Sequence, residues 1–254
     1  MHPDATLYFV HDPMCSWCYA FRPVWSYIQQ QLPAGIRVQY VLGGLAPDND
    51  EPMPAETRAF IQGQWHKIIK RVPGTLFNFE FWEKCQPRRS TYPACRAVLL
   101  ARQHGREAEI AMIHAIQDAY YRQARNPSDD STLCELAQQI GLDSTAFARA
   151  LNAEATRQAL LEDIHFARSI GGDSFPSLFL QRNGAIQPIP HHYTDADEVL
   201  RARLHQGPLR QAAGQRPSQR VARREGNGVR HAGPRGHLDE DVPLPGEGRV
   251  RAEA

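Results

Sequence analysis

The sequence predicts an α/β protein in which a single sheet carries a large inserted all-helical subdomain. Three observations support this fold class. Residues 5–44 have the pattern strand, helix, strand; residues 45–170 have helical apolar spacing almost throughout; and residues 171–206 have the pattern strand, strand, helix. Because a sheet must cover its apolar faces, we expect the first and last of these segments to form one discontinuous domain around the helical insertion.

The N-terminal segment is predicted to be a βαβ unit. Residues 5–10 are rich in β-branched and aromatic side chains and stop at the turn sequence His11-Asp12-Pro13. Apolar residues between Cys15 and Gln31 recur every three or four positions, the period of a helix. Residues 36–42 alternate like a strand and end at Gly43-Gly44.

The inserted segment is predicted to contain six helices. Gly105 and Gly141 interrupt the helical periodicity and are typical helix stops. The predicted helices span residues 54–71, 92–104, 106–122, 131–140, 144–151 and 153–170.

Strand character returns after Gly171-Gly172. Residues 177–181 and 185–189 flank Asn183-Gly184, a dipeptide that is typical of a two-residue hairpin turn. A last helix is predicted at residues 194–205.

The C-terminal tail, residues 207–254, differs in composition from the rest of the chain. It contains 8 Gly, 5 Pro and 9 Arg, and it has no aromatic residue, Ile, Met or Cys. Such a segment has too little apolar surface to offset the entropy lost on ordering, so we expect it to be disordered.

Composition and charge exclude several classes of protein. With 29 basic and 28 acidic residues the formal net charge is +1, which gives no electrostatic reason to expect nucleic acid or an anionic membrane as the main partner. No run approaches the roughly 18–20 apolar residues of a bilayer helix. If Met1 is the true start, no room is left for a secretory leader before Cys15, and we expect a cytoplasmic protein.

The chemistry of the chain is indicated by Cys15-Ser16-Trp17-Cys18, which stands between the first strand and the first helix. The unpaired backbone N–H groups of a helix N-terminus stabilise a thiolate, the reactive form of cysteine. Cys18 lies one turn further on, so that its sulfur faces the first one. We therefore expect Cys15 to be the exposed nucleophile and Cys18 the more buried resolving thiol.

The cysteines have other interpretations. A Cys-x-x-Cys pair is also half of a zinc site, but Cys85, Cys95 and Cys134 do not form a second pair at matched spacing. Cys85 and Cys95 could instead form a peripheral disulfide, or Cys95 could be a core residue. The sequence predicts no metal site.

A second element is Asp173-Ser174-Phe175-Pro176-Ser177, between the last inserted helix and a strand. Proline cannot donate a hydrogen bond within a sheet, so it belongs at the start of a strand or on an edge. A cis bond before Pro176 would be a specific structural feature, but the residues alone do not decide between cis and trans.

Together these elements resemble the DsbA-type branch of the thioredoxin superfamily. The resemblance covers residues 5–206 and is closest to cytosolic DsbA-like and FrnE-like proteins. Its motifs are Asp12-Pro13-Met14-Cys15-Ser16-Trp17-Cys18-Tyr19, Ser90-Thr91-Tyr92-Pro93-Ala94-Cys95-Arg96 and Gly171-Gly172-Asp173-Ser174-Phe175-Pro176.

The resemblance implies a thioredoxin-like fold and assigns roles to several residues. Cys15 and Cys18 would be the redox pair, and Pro176 would be cis and pack against it. Ser16, Trp17 and Pro176 would tune the reactivity of the pair. Phe175 and Pro176 would bind substrate, with the Phe175 backbone free to pair with an extended peptide.

The leading hypothesis is a thiol–disulfide oxidoreductase or isomerase that acts on protein thiols and disulfides without a cofactor. Glutathione would be a co-substrate, or a thioredoxin system would recycle the enzyme. Asp12 is either a proton relay for Cys18 or a turn residue. The alternatives are a glutathione-dependent isomerase or transferase of the kappa and hydroxychromene carboxylate isomerase type, and a non-catalytic binding protein for unfolded chains.

Overall fold

The computed structural model describes residues 5–200 and residues 250–251. The predicted tail at 207–254 therefore lies outside the described residues, apart from Val250–Arg251, and so does the end of the helix predicted at 194–205. In chain order the elements are β1 (Ala5–His11), α1 (Ser16–Gln31), β2 (Ile36–Leu42), α2 (Ala55–Arg71), α3 (Phe81–Lys84), α4 (Tyr92–Arg102), α5 (Arg106–Tyr121), α6 (Asp130–Gln139), α7 (Ser144–Leu151), α8 (Glu154–Ser169), β3 (Ser174–Phe175), β4 (Ser177–Arg182), β5 (Ala185–Ile189), α9 (Ala196–Val199) and β6 (Val250–Arg251).

The main sheet has four strands in the order β2-β1-β4-β5. The central strand β1 runs parallel to β2 and antiparallel to β4, and all seven of its residues are buried, so both faces of the sheet are covered there. The predicted α/β fold class, with the order β-α-β, helices, β-β-α, is confirmed.

The register of the sheet brings two distant parts of the chain to one edge. Val10 near the end of β1 is opposite Val41 of β2 and opposite Ser177 at the start of β4. The residues that follow β1 and the residues that precede β4 must therefore lie side by side. These are Cys15 and Pro176, the two elements that the sequence singles out.

The helical insertion packs around α4, whose residues Pro93–Ala101 are all buried. This helix contacts α5, α6, α7 and α8, and α8 also contacts β2, so the insertion rests on the sheet. An aromatic group centred on the fully buried Trp65 fills the space between α2, α3 and α5. Its rings are those of Trp65, Phe77, Phe79, Phe81, Trp82, Tyr120 and Tyr121.

The remaining elements follow the sequence prediction closely. Asn183 and Gly184 have positive φ values of 52° and 79°, as the turn between β4 and β5 requires. The four-residue helix α3 was not predicted, because it is shorter than the window in which helical periodicity is visible. Within residues 5–200 no helix is both long and apolar enough to cross a membrane.

Candidate active site

Cys15 is the N-cap of α1. Its backbone is extended, with φ −79° and ψ 117°, and its Sγ accepts a hydrogen bond from the backbone N–H of Cys18 at 3.4 Å. The sulfur thus occupies the place of the oxygen in a serine or aspartate cap. The N-terminal turn of a helix favours negative charge at this place. The two thiols of the predicted redox pair lie next to each other, as the spacing predicts, and both are free.

Cys15 is buried rather than exposed, which corrects the sequence-based expectation. Its exposed fraction is 1%, and that of Cys18 is 3%. The cause is the segment before β4, since Cys15 Sγ lies 3.7 Å from the backbone oxygen of Phe175, close enough for the thiol to donate a hydrogen bond. A substrate therefore reaches Cys15 through the cleft that it lines rather than at an open surface.

The peptide bond between Phe175 and Pro176 is cis, as the resemblance implies. The ring of Phe175 lies against Gly43, and a Cβ atom at that position would overlap it. Gly43 is thus needed for the packing of this segment as well as for ending the strand.

The backbone of Phe175 is not free, which corrects a second expectation. Strand β3 pairs antiparallel with β6, with Ser174 opposite Arg251 and Phe175 opposite Val250. Sequence analysis missed this contact because the composition of the tail predicted only disorder. The edge expected to receive a peptide is paired here with a segment of the same chain.

Cys18 is about as buried as Cys15, so the expectation that it is the more buried thiol of the pair is not met. Its electrostatic environment is unfavourable to a thiolate. Burial raises the pKa of the Cys18 thiol well above its usual value, and the neighbouring Cys15 and the Asp12 carboxylate raise it further. Cys18 is therefore a protonated thiol at neutral pH. It needs a proton acceptor when it attacks a disulfide.

Asp12 is a fully buried carboxyl group directly before the redox motif. It accepts hydrogen bonds from the backbone N–H groups of Met14 at 2.8 Å and Leu45 at 2.7 Å, and from Thr91 Oγ1 at 2.6 Å. The thiol of Cys95 lies 3.4 Å from the same carboxylate. Burial raises the pKa of Asp12, and these hydrogen bonds oppose that shift.

The hydrogen bonds of Asp12 join three parts of the site, namely the turn before Cys15, the loop after β2 and the start of α4. Asp12 is a turn residue, as one of its two interpretations predicts, because its carboxylate accepts the N–H of Met14 two residues on. Sequence analysis missed the partners Thr91 and Cys95, although both stand in a motif that carries the resemblance. The suggested disulfide of Cys95 is absent, since Cys95 bonds Asp12 and Cys85 donates to the backbone oxygen of Ala124 at 3.1 Å.

The two residues between the cysteines have different surroundings. Ser16 is 8% exposed and lines the cleft beside Cys15. Trp17 is buried, donates from its indole nitrogen to Gln64 Oε1 at 3.2 Å, and packs against Tyr193 with ring centroids 5.0 Å apart. Trp17 thus links α1 to α2. Their effect on the redox pair stays a prediction.

The cleft beside Cys15 lies between α1 and the helical insertion. Phe60, with 58% of its surface exposed, forms part of its apolar wall. Arg88, Arg89 and Gln64 are among its polar lining residues. Sequence analysis missed these three, since nothing in their local pattern distinguishes them from solvated surface residues.

The fold and the site define a class of protein. A dithiol at the N-terminus of the first helix, a cis-proline beside it, and a helical insertion in a thioredoxin-like sheet are the features of DsbA-like members of the thioredoxin superfamily. A family model described as thioredoxin matches residues 8–185. The chain therefore belongs to the thioredoxin family, and within it to the DsbA-like proteins.

Solved structures of similar proteins agree with this assignment. A candidate protein disulfide isomerase from Nitrosomonas europaea is 27% identical, with a TM-score of 0.68 over 77% of this chain and 94% of that chain. The cytosolic disulfide reductase DsbM from Pseudomonas aeruginosa, in a structure with GSH, is 25% identical, with a TM-score of 0.58 over 73% of this chain and 89% of that chain.

One similar protein is named as an adapter rather than as an oxidoreductase. The ClpXP adapter protein SpxH of Bacillus subtilis is 24% identical over 210 residues, which are 78% of this chain and 68% of the relative.

Proposed function

We propose that the protein is a thiol–disulfide oxidoreductase that acts on protein disulfides, with Cys15 as the nucleophile and Cys18 as the resolving thiol. The observation that carries the proposal is the position of Cys15, at the cap of α1 and 3.7 Å from the oxygen of Phe175. The N-terminal turn of α1 favours a negatively charged sulfur there. A substrate chain would pair with the backbone of β3 by displacing β6.

The reaction consists of two exchanges. The thiolate of Cys15 attacks one sulfur of the substrate disulfide, which forms a mixed disulfide and releases the other sulfur as a thiolate that takes up a proton. Cys18 then loses its proton and attacks the sulfur of Cys15, releasing the second substrate thiol. The substrate gains two electrons and the Cys15–Cys18 pair loses two; the reverse sequence oxidises a dithiol.

Asp12 is the group we assign to the proton step. Its carboxyl is buried near Cys18, and the pKa values of both groups are raised mainly by burial. An acid whose charged form is disfavoured is a better proton acceptor than an ordinary aspartate at the same distance. In this role Asp12 takes the proton of Cys18 during the resolving attack and also holds the loop that carries Cys15.

The net direction we propose is reduction or isomerisation in the cytoplasm. The similarity to a Pseudomonas aeruginosa protein described as a cytosolic disulfide reductase, and solved with GSH, supports this direction and glutathione as the co-substrate. Glutathione or a thioredoxin system would return the pair to the dithiol. No further cofactor enters these steps.

The test is reduction of insulin disulfides by glutathione, measured with the wild type and three single variants. We expect Cys15→Ser to abolish catalysis and Cys18→Ser to accumulate a mixed disulfide at Cys15. Cys134→Ser, at a half-buried cysteine of α6, is the matched control and should retain full activity. Full activity of Cys15→Ser would refute the proposal.

Two other functions predict a different response to the same variants, each measured by an assay of its own activity. A glutathione-dependent isomerase or transferase would keep its activity in Cys18→Ser while still requiring glutathione. The similarity to the SpxH adapter favours a protein-binding role, which would be unaffected by Cys15→Ser.

A further inference from the structure

The cleft beside Cys15 contains an arginine whose charge no described residue neutralises. Arg88 and Arg89 both line the cleft. Arg88 forms an ion pair with Asp129 at 2.7 Å and donates to the backbone oxygen of Ser128 at 2.6 Å. Arg89, which is half-buried, has neither an ion pair nor a side-chain hydrogen bond with any residue in the described part of the chain.

The other residues that line the cleft do not neutralise the charge of Arg89. Within residues 5–200 no aspartate or glutamate lines the cleft. The charge of Arg89 acts on Tyr120, another lining residue, where it opposes the rise that burial causes in the pKa of the phenol. A half-buried guanidinium without a counterion, which always stays protonated, is a site for an anion.

A neutral donor lies in the same cleft. The side-chain oxygen of Gln64 accepts the indole N–H of Trp17 at 3.2 Å, which fixes the orientation of the amide. Its Nε2 group can therefore donate to a ligand. Phe60 supplies apolar surface, and Cys15 lies on the same cleft. The cleft thus joins a nucleophilic thiol, a planar cation and an amide donor.

We propose that Arg89 is a specificity-determining residue that binds a carboxylate of the disulfide attacked by Cys15, so that the cleft selects glutathione disulfide over uncharged disulfides. The inference deepens the proposed oxidoreductase function and rests on it. A guanidinium binds a carboxylate through two parallel hydrogen bonds, and each half of glutathione disulfide has two carboxylates within a small peptide.

The step is the one already described, with glutathione as the leaving group. Cys15 attacks one sulfur of glutathione disulfide, the S–S bond breaks, and one glutathione thiolate leaves and takes up a proton. Cys18 then displaces the second glutathione and loses its own proton. The protein dithiol is oxidised by two electrons, and one glutathione disulfide becomes two molecules of glutathione; reduction of the protein by glutathione is the reverse.

The test compares the second-order rate constants of the reduced protein with three disulfides of different charge. These are glutathione disulfide, the neutral bis(2-hydroxyethyl) disulfide and the cationic cystamine. We expect Arg89→Gln to slow the reaction with glutathione disulfide about tenfold, the order expected for one charge-assisted contact. The rate with the neutral disulfide should change less than about twofold, and cystamine should react faster. Salt should reduce the preference of the wild type and have little effect on the variant.

Two further variants make the result specific. Arg89→Lys keeps the charge but not the bidentate geometry and should fall between the wild type and Arg89→Gln. Arg149→Gln, at an exposed position of α7, is the matched control and should behave as the wild type. Equal slowing with all three disulfides, or no change with glutathione disulfide, would overturn the assignment of Arg89. A wild type that reacts with none of the three would instead refute the oxidoreductase function.

Discussion

The ring of Phe175 occupies the space that a side chain at Gly43 would need. This contact links the loop after β2 to the cis-prolyl segment, and Phe175 in turn places its backbone oxygen 3.7 Å from the Sγ atom of Cys15. The absence of a Cβ atom at Gly43 therefore helps to position the segment that covers Cys15.

Substituting Gly43 should disturb the site from a distance. In Gly43→Ala the added Cβ pushes the Phe175 ring away, which moves the backbone beside Cys15. We expect disulfide exchange to slow about tenfold or more and the free energy of unfolding to fall by about 1–3 kcal/mol, the usual effect of overpacking. Steady-state kinetics and urea unfolding measure the two effects.

Gly63→Ala is the matched control for this variant. Gly63 lies within α2, and apart from its two neighbours and the backbone of the helix itself, no residue in the described part of the chain has an atom within 4 Å of the place where its Cβ would be. The same substitution should there raise the free energy of unfolding by roughly 0.5–1 kcal/mol and leave the exchange rate unchanged. Equal effects of the two variants would contradict the role given to Gly43.

The buried carboxyl of Asp12 should leave a signature in the pH dependence of stability. Its pKa is raised in the folded state, so the native protein binds more protons than the unfolded chain between the ordinary value of 3.8 and the raised value. Stability from this group is present below pH 3.8 and is lost as the pH rises through that window. Asp12→Asn removes this loss, so its stability relative to the wild type should increase from about pH 4 upward.

Asp143 provides a control, because its pKa is shifted in the direction opposite to that of Asp12. It caps α7, and hydrogen bonds from the backbone N–H groups of Ala146 and Thr145 lower its pKa. Its contribution to stability is therefore present above pH 3.8 and lost as the pH falls through the lowered value. Urea unfolding between pH 3 and 7 should give opposite pH slopes for Asp143→Asn and Asp12→Asn, and equal slopes would show that Asp12 is not a strained buried acid.

Arg96 should be important for stability rather than for chemistry. Its buried guanidinium makes two hydrogen bonds to Asp48, at 2.8 and 2.9 Å, and further ones to the backbone oxygen of Leu151 and to Asn152. Removing it deletes a buried side chain and leaves the backbone oxygen of the buried Leu151 without its donor, whereas Asp48 and Asn152 are exposed to solvent. We expect Arg96→Ala to lower the free energy of unfolding by about 2–4 kcal/mol.

The exposed Arg149 of α7 gives the comparison for Arg96, since Arg149→Ala should change the free energy of unfolding by less than about 0.5 kcal/mol. A small effect of Arg96→Ala would mean that water replaces its hydrogen bonds.

The pairing of β6 with β3 should compete with peptide substrates. Deleting residues 207–254 frees the edge of Ser174 and Phe175, and Val250→Pro removes one backbone N–H from the pairing strand. We expect both changes to raise the second-order rate constant for an extended peptide disulfide severalfold and to leave that for a small disulfide unchanged. Unaltered rates with the peptide would show that the tail does not compete.

Most of the fold is predictable from the sequence because its signals are local. The bounds of β2 and α7 are those of the predicted segments, since Gly43-Gly44 ends the one and Asp143 caps the other. Cys15 is also predictable as a helix cap, because the redox motif directly follows a strand with a turn signal.

The surroundings of the site are not predictable in this way, because they depend on contacts between distant segments. The burial of Cys15 results from Phe175, which is 160 residues away along the chain. Asp12 accepts a hydrogen bond from Thr91, which is 79 residues away along the chain. Arg89 is unremarkable in sequence, and only the fold places it on the cleft beside the nucleophile.

The most direct measurement is the redox state of each cysteine after equilibration in a graded series of glutathione buffers, read by thiol trapping and mass spectrometry. We predict that Cys15 and Cys18 form one disulfide with a single midpoint, between about −120 and −270 mV, while Cys95 stays reduced. A Cys15 that remains a free thiol at every glutathione ratio, or that pairs with a cysteine other than Cys18, would contradict the proposed function.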